Sequence, residues 1–250
     1  MFGRMKQESI AGYEVTVILP VTYGEDGRRY PVFYVHDDGD VIHQSLNYIE
    51  HLTRSKQLRE LIIVAVKPHD RRDEYTPWPA GAIFPGAAGF GGEGHSYLAD
   101  MVQHIKGYVD TAYDTLPEPE HTGIGGCSFG GLISIYALYQ FPHVFGKLAL
   151  VSASFWYEGF IDYMRGQTIT SNPQVYMYVG ELEGVYKTNL QRRMVELTRQ
   201  ANEILGESGI EKKRLLFESD PNGTHDDLFF APRMIRALLW LFPDDGEERA

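Results

Sequence analysis

A short apolar run, Thr122-Gly123-Ile124-Gly125, passes through Gly126-Cys127-Ser128-Phe129-Gly130 into a long apolar run, Leu132 to Tyr139 (LISIYALY). A strand that turns abruptly into a helix needs small residues on both sides, because a Cβ there would strike the neighbouring strand or helix. The pattern reads as a nucleophile elbow with the Ser128 hydroxyl pushed above a sheet edge. Gly131 adds a third small residue. Cys127 precedes the serine, and on such a turn the predecessor points away, so its thiol is expected to pack rather than react.

Strand and helix patterns alternate on either side of the elbow. Tyr13 to Pro20 (YEVTVILP) alternates and is rich in β-branched residues; with the polar stretch Gly24 to Arg28 and the run Pro31 to Val35 it predicts an edge hairpin feeding a central strand. Apolar residues recur at helical spacing from Val41 to Leu58, and Leu61 to Val66 (LIIVAV) reads as a strand buried on both faces. Lys67 to Gly94 is rich in Pro, Gly and aromatic residues without a period, which predicts a long functional loop beside the elbow. Helical spacing over Tyr97 to Tyr113 follows. Beyond the elbow come two strand patterns, Lys147 to Ser152 and Gln174 to Val179, separated by an aromatic segment. Then follow an amphipathic helix over Val185 to Glu207, a strand over Lys213 to Glu218 and a helix over Asp226 to Phe242. This order predicts one α/β domain over all 250 residues: a mostly parallel central sheet with right-handed crossovers and helices on both faces. The acidic tail from Asp244 to Ala250 is expected to fray.

A net charge of −11 argues against nucleic acid or an anionic membrane surface as partner, since both demand a basic face. Met1 to Ser9 mixes Arg4, Lys6 and Glu8 without an apolar core, so no signal peptide is expected, and no run has the length of a membrane helix. One cysteine permits no intrachain disulfide and suits a reducing compartment; the expectation is a soluble cytoplasmic protein. Oligomeric state is not legible.

A serine hydroxyl needs a base to become a nucleophile. His225 is the best placed of nine histidines, in the turn Asn222-Gly223-Thr224-His225 between the last strand and the last helix, on the same sheet edge as Ser128. A carboxylate should hold the imidazole, and its slot follows the strand ending at Val179. Glu183 is the choice there and Glu181 the reserve. Asp220 and Asp226 are nearer in sequence to His225, but Asp226 reads as a helix cap. Negative charge developing on a substrate carbonyl oxygen would need backbone donors: the Phe129 N–H, and one after the strand ending at Val35. Gly39 is the expected second donor, with Asp38 and Asp40 as register alternatives. Asp37, Asp38 and Asp40 also resemble a hard-cation loop but lack EF-hand spacing, so neither metal nor cofactor is expected.

Taken in order, these features resemble the esterase branch of the α/β hydrolases, which contains ferric-enterobactin esterases, feruloyl esterases and S-formylglutathione hydrolases. The resemblance covers most of the chain. It rests on Tyr30-Pro31-Val32 leading to His36-Asp37, Arg72 to Pro77 (RDEYTP), Gly91-Gly92 before Tyr97-Leu98, the elbow with Gly131-Leu132, Phe141-Pro142, Ser152-Ala153-Ser154 with Trp156, and Gly180 to Glu183. It implies a single α/β-hydrolase domain in which Ser128 is nucleophile, His225 base and Glu183 acid. Arg72, Tyr75 and Trp156 would line the substrate pocket. The implied function is hydrolysis of a small-molecule carboxylic ester, such as a siderophore or aryl ester, through an acyl-enzyme. Acyl transfer to an acceptor other than water, and a non-catalytic binding module of the same fold, are the alternatives.

Overall fold

A computed structural model of the protein describes residues 4–25 and 27–244. Residues 1–3 of the N-terminal segment and the acidic tail from 245 onward lie outside the described residues.

Eight strands form one sheet in the order β1-β2-β4-β3-β5-β6-β7-β8. They are β1 (Met5–Ile10), β2 (Tyr13–Ile18), β3 (Val32–Val35), β4 (Ile62–Val66), β5 (Thr122–Cys127), β6 (Lys147–Val151), β7 (Gln174–Gly180) and β8 (Leu215–Asp220). The β1/β2 and β2/β4 pairs are antiparallel and every other pair is parallel. The helices are α1 (Asp40–His43), α2 (Leu46–Arg54), α3 (Arg71–Glu74), α4 (Gly94–Asp100), α5 (Gly107–Ala112), α6 (Phe129–Gln140), α7 (Phe160–Arg165), α8 (Met194–Glu207) and α9 (Asp227–Leu241). A π-helical stretch, Met101–Lys106, joins α4 to α5.

Alternation along each strand sorts side chains onto two cores. Tyr34, Val64, Ile124, Leu148 and Met177 meet Leu98, Ile105, Leu132 and Leu205 from α4, the π-helical stretch, α6 and α8. Phe33, Val35, Ile63, Val151 and Tyr176 meet Ile49, Leu52, Met234 and Leu238 from α2 and α9. Helix α6 is buried from Gly130 to Leu138, which explains why its sequence is apolar all round instead of amphipathic. The expected α/β class, with helices on both faces of a mostly parallel sheet, is what the chain adopts.

Three local expectations are corrected. The Tyr13 strand does not form a hairpin with the Pro31 run; β2 pairs with β1 and β4, while β3 lies between β4 and β5. Strand β1 is a polar edge strand, exposed over most of its length, so it carries no hydrophobic alternation to read. Its partner turn is Ala11-Gly12, with φ of 51° and 88°, the left-handed pair that suits a two-residue hairpin. The helix expected from Val185 begins as a 3₁₀ turn at Leu190, capped by the Asn189 side chain accepting from the Gln191 N–H at 3.0 Å. The aromatic segment before β7 contains a short helix, α7.

Ile124 is fully buried in the strand that delivers the elbow. Ile124→Ala is expected to cost about 2–5 kcal/mol of unfolding free energy, measured by chemical denaturation.

Candidate active site

Ser128 sits between β5 and α6 with φ 57° and ψ −116°, a conformation that costs a non-glycine residue about 1–3 kcal/mol. The surroundings over-determine it. Its N–H donates to Val151 O at 3.0 Å, and its carbonyl accepts from Ser154 N–H at 3.0 Å and Leu132 N–H at 3.1 Å. A Cβ on Gly126 would lie 2.9 Å from the Gly130 backbone, so strand and helix can close around the serine only with glycine there. Cys127 is turned into the core, and burial pushes its thiol well above the usual range.

The His225 Nε2 lies 3.0 Å from Ser128 Oγ, and its Nδ1 lies 2.6 Å from Glu183 Oε2. A carboxylate only accepts, so Nδ1 carries the proton and Nε2 is left to accept from the serine hydroxyl. Ser154 Oγ, 3.2 Å from Ser128 Oγ, can then donate to it. The Glu183 side chain is fully buried and is held further by Ser152 Oγ at 2.6 Å and the Gly180 N–H at 2.8 Å.

Glycine contacts fix the loop that carries His225. A Cβ on Gly223 would lie 2.5 Å from the Tyr178 hydroxyl and 2.7 Å from Gly180 Cα. Gly223 O accepts from Leu182 N–H at 3.0 Å, and Glu181 N–H donates to Asp220 O at 2.9 Å. The other acids are engaged elsewhere: Glu181 pairs with Arg199 at 2.6 Å, Asp220 pairs with Arg233 at 2.7 Å, and Asp226 caps α9 by accepting from Leu228 N–H at 3.1 Å.

Phe129 is the first residue of α6, so its N–H has no acceptor within the helix. The turn after β3 approaches it closely: a Cβ on Gly130 would be 3.3 Å from His36 Cβ and 3.4 Å from Asp37 Oδ2. In that turn Asp37, Asp38 and Gly39 all have positive φ, at 58°, 54° and 71°. The Gly39 N–H, expected to face the site, instead closes the turn onto His36 O at 3.1 Å. Glycine is required at 39 for another reason, since a Cβ would lie 2.8 Å from Ala65 Cβ. Asp40 N–H is likewise taken, by Asp37 O, and Asp37 N–H donates to the Tyr75 hydroxyl at 3.0 Å. The Asp38 N–H lies outside these bonds.

The three pocket residues implied by the resemblance are not placed as open pocket walls. Tyr75 is 0% exposed and supports the Asp37 turn from below. Trp156 is 4% exposed and lies in the core against Phe129, ring centroids 5.4 Å apart. Arg72 faces solvent and pairs with Asp70 at 3.6 Å. Its neighbour Arg71 is the residue that reaches the elbow: Nε and Nη2 donate to the two Asp37 oxygens at 2.6 and 3.1 Å, and Nη2 also donates to Cys127 O at 3.1 Å. Asp70 caps α3, and one helical step turns adjacent side chains about 100° apart, so only one arginine of the pair can face inward. That cap was the available signal; Ser152 and Ser154 stood among the residues that carry the resemblance, but only their place at a strand end pointed to a role beside the elbow. Beneath the turn, His36 is buried, its Nδ1 2.9 Å from the Tyr97 hydroxyl. Burial, aided by the Arg71 charge, pushes it down to about 3, which keeps the imidazole neutral.

Among the described residues no group of three or more His, Cys, Asp or Glu side chains is arranged to hold a metal ion, and no helix is long and apolar enough to cross a membrane.

A mostly parallel α/β sheet carrying a serine on a strand-to-helix elbow, faced by a histidine after the last strand, is the architecture of a serine hydrolase. The chain belongs to the Putative esterase family, whose pattern matches residues 10–241. It is 30% identical over 243 residues to Uncharacterized protein YbbA of Bacillus subtilis (strain 168), covering 97% of both chains. Its fold is similar to that of an IroE-like serine hydrolase from Shewanella oneidensis, with a TM-score of 0.81 at 18% identity, over 96% of this chain and 80% of that one. The enterobactin esterase FES from Shigella flexneri superimposes with a TM-score of 0.75 at 15% identity, over 96% of this chain but only 59% of the esterase.

Burial holds the Asp37 carboxyl above its ordinary range while Arg71 pulls it back down. In Arg71→Met burial and the Asp40 charge act unopposed, and a folded state that retains a proton the unfolded chain releases loses stability as pH rises. The variant is expected to lose about 1–3 kcal/mol at pH 8 and less at pH 4, read from denaturation curves at the two pH values.

Proposed function

We propose that the protein is a serine carboxylesterase acting through Ser128, His225 and Glu183 and an acyl-enzyme. The observation that carries this reading is the hydrogen-bonded series from Ser128 Oγ to His225 Nε2 and from Nδ1 to the buried Glu183, at 3.0 and 2.6 Å. In the reaction His225 takes the serine proton as Oγ attacks the ester carbonyl, and Glu183 stabilises the imidazolium. The oxyanion receives the Phe129 N–H and, in place of Gly39, the Asp38 N–H. The imidazolium then protonates the departing alcohol, and water attacks the acyl-serine by the same route. Arg71, Tyr75 and Trp156 act by holding the two donor segments in place.

A strongly anionic siderophore is a weaker fit than a neutral ester. The cations Lys67, Arg71 and Arg72, on the segment after β4, are already paired with Glu14, Asp37 and Asp70. A cytoplasmic location is part of the proposal, supported by a lone thiol that is buried and free.

Ser128→Ala is expected to lower kcat for a p-nitrophenyl ester by about 10⁴-fold or more and to abolish labelling by a fluorophosphonate, with the thermal midpoint near that of the parent. Retained turnover would refute the assignment. Glu183→Gln should lower kcat by about 10²–10⁴-fold, whereas Glu181→Gln stays near the parent rate; the reverse ranking would reassign the acid.

A further inference from the structure

Ten large hydrophobic side chains are exposed among the described residues, and five of them lie on the loop after β7 and at the start of α9. Leu182 is 44% exposed, Val185 57%, Tyr186 96% and Leu228 76%; Leu190 completes the set. Leu182 adjoins Glu183, and Leu228 stands three residues after His225. Backbone contacts bind these stretches into one rim: Leu182 N–H donates to Gly223 O at 3.0 Å, and a Cβ on Gly184 would lie 3.0 Å from Arg192 Cα, so the loop folds back on the segment carrying Leu190. Beyond Leu190 the surface turns polar: the cavity of about 390 Å³ that Leu190 and Ile83 line is shared with Glu158, Arg192 and Arg193, so the apolar rim ends there. An exposed apolar patch bordering a reactive pair marks a surface that something apolar covers.

We propose that the leaving alcohol of the substrate is lipophilic and that its hydrocarbon lies on the collar of Leu182, Val185, Tyr186 and Leu228. The inference rests on the esterase reading and adds to it the side of the ester that is recognised. When the tetrahedral intermediate collapses, the bond from carbon to the alcohol oxygen breaks, and its electron pair takes the proton carried on His225 Nε2. The acyl group stays on Ser128 Oγ. The alcohol oxygen must therefore lie within hydrogen-bond reach of Nε2, so the group attached to it leaves the site past the histidine. The collar flanks the histidine and its glutamate. The acyl arm belongs to the opposite side of the serine.

The test compares kcat/KM for butyrate esters of methanol, butanol and hexanol, below their solubility limits, in the parent and in the triple variant Val185→Ser, Tyr186→Ser, Leu228→Ser. These positions are exposed, so the fold should survive. The parent is expected to prefer the hexyl over the methyl ester by about tenfold or more, and the triple variant to bring that ratio near one. A parallel series of p-nitrophenyl esters with lengthening acyl chains should keep its own slope in the variant. A flat alcohol series in the parent, an unchanged slope in the variant, or loss of the acyl slope instead would overturn the proposal. So would a parent dimer, seen by sedimentation, that the variant dissociates without altering the ratio; the collar would then be a contact between copies. Fluorophosphonate labelling of Ser128 separates the two levels of failure. With labelling intact, a flat alcohol series defeats the collar alone; without labelling, the esterase reading fails and the collar proposal falls with it.

Discussion

A single buried carboxylate draws together the ends of three strands. Glu183 accepts from Ser152 after β6, from Gly180 at the end of β7 and from His225 in the loop after β8. Burying an ionised carboxylate costs several kcal/mol unless charge-assisted hydrogen bonds compensate it, and here donors from three separate segments do so. The same bonds set the azimuth of the imidazole, because its Nδ1–H must point at an acceptor that cannot move. The glycine contact between residues 180 and 223 is what lets the segments come close enough for this arrangement.

The other half of the site is gathered by the opposite charge. Arg71, entering from the turn after β4, bridges the Asp37 carboxylate after β3 and the Cys127 carbonyl at the end of β5. Buried Tyr75 supports the same turn through the Asp37 N–H. All six strands from β3 to β8 thus contribute to the site through two hubs, one anionic and one cationic, on either side of Ser128. Parallel strands present their C-terminal ends along one edge, where such hubs can reach several of them at once.

This division explains what could be read from the residues in advance. The elbow was legible because its glycines answer to a local steric demand, and the approach of His225 and Glu183 to Ser128 because strand ends in a parallel sheet fall on one edge. Arg71 and Arg72 are adjacent in a sequence without periodicity, and only the phase of a four-residue helix decides which one turns inward. Gly39 was expected as a donor on the ground of its freedom, yet that freedom is spent against Ala65 in the β-sheet core. Tyr75 and Trp156 are large aromatics on site-bearing segments, and sequence does not distinguish a wall facing substrate from a support behind it. Strand β1 was invisible because an exposed edge strand needs no apolar alternation.

Backbone strain follows the same map. Of the six described non-glycine residues with positive φ, four stand at the site: Asp37, Asp38, Ser128 and Ser152. Each such residue costs on the order of 1–3 kcal/mol, so the fold must hold them by bonds that outweigh the cost. For three of the four those bonds are present: Asp37 is held by Arg71 and Tyr75, Ser128 by Val151 and Ser154, and Ser152 by Tyr178 and Glu183. The Ser128 hydroxyl is itself engaged, with His225 and Ser154, so its position is as fixed as that of its backbone. A chain that relaxed these turns would become more stable locally and lose the convergence of Ser128, His225 and the Asp37 turn, so the strain is the structural cost of that convergence.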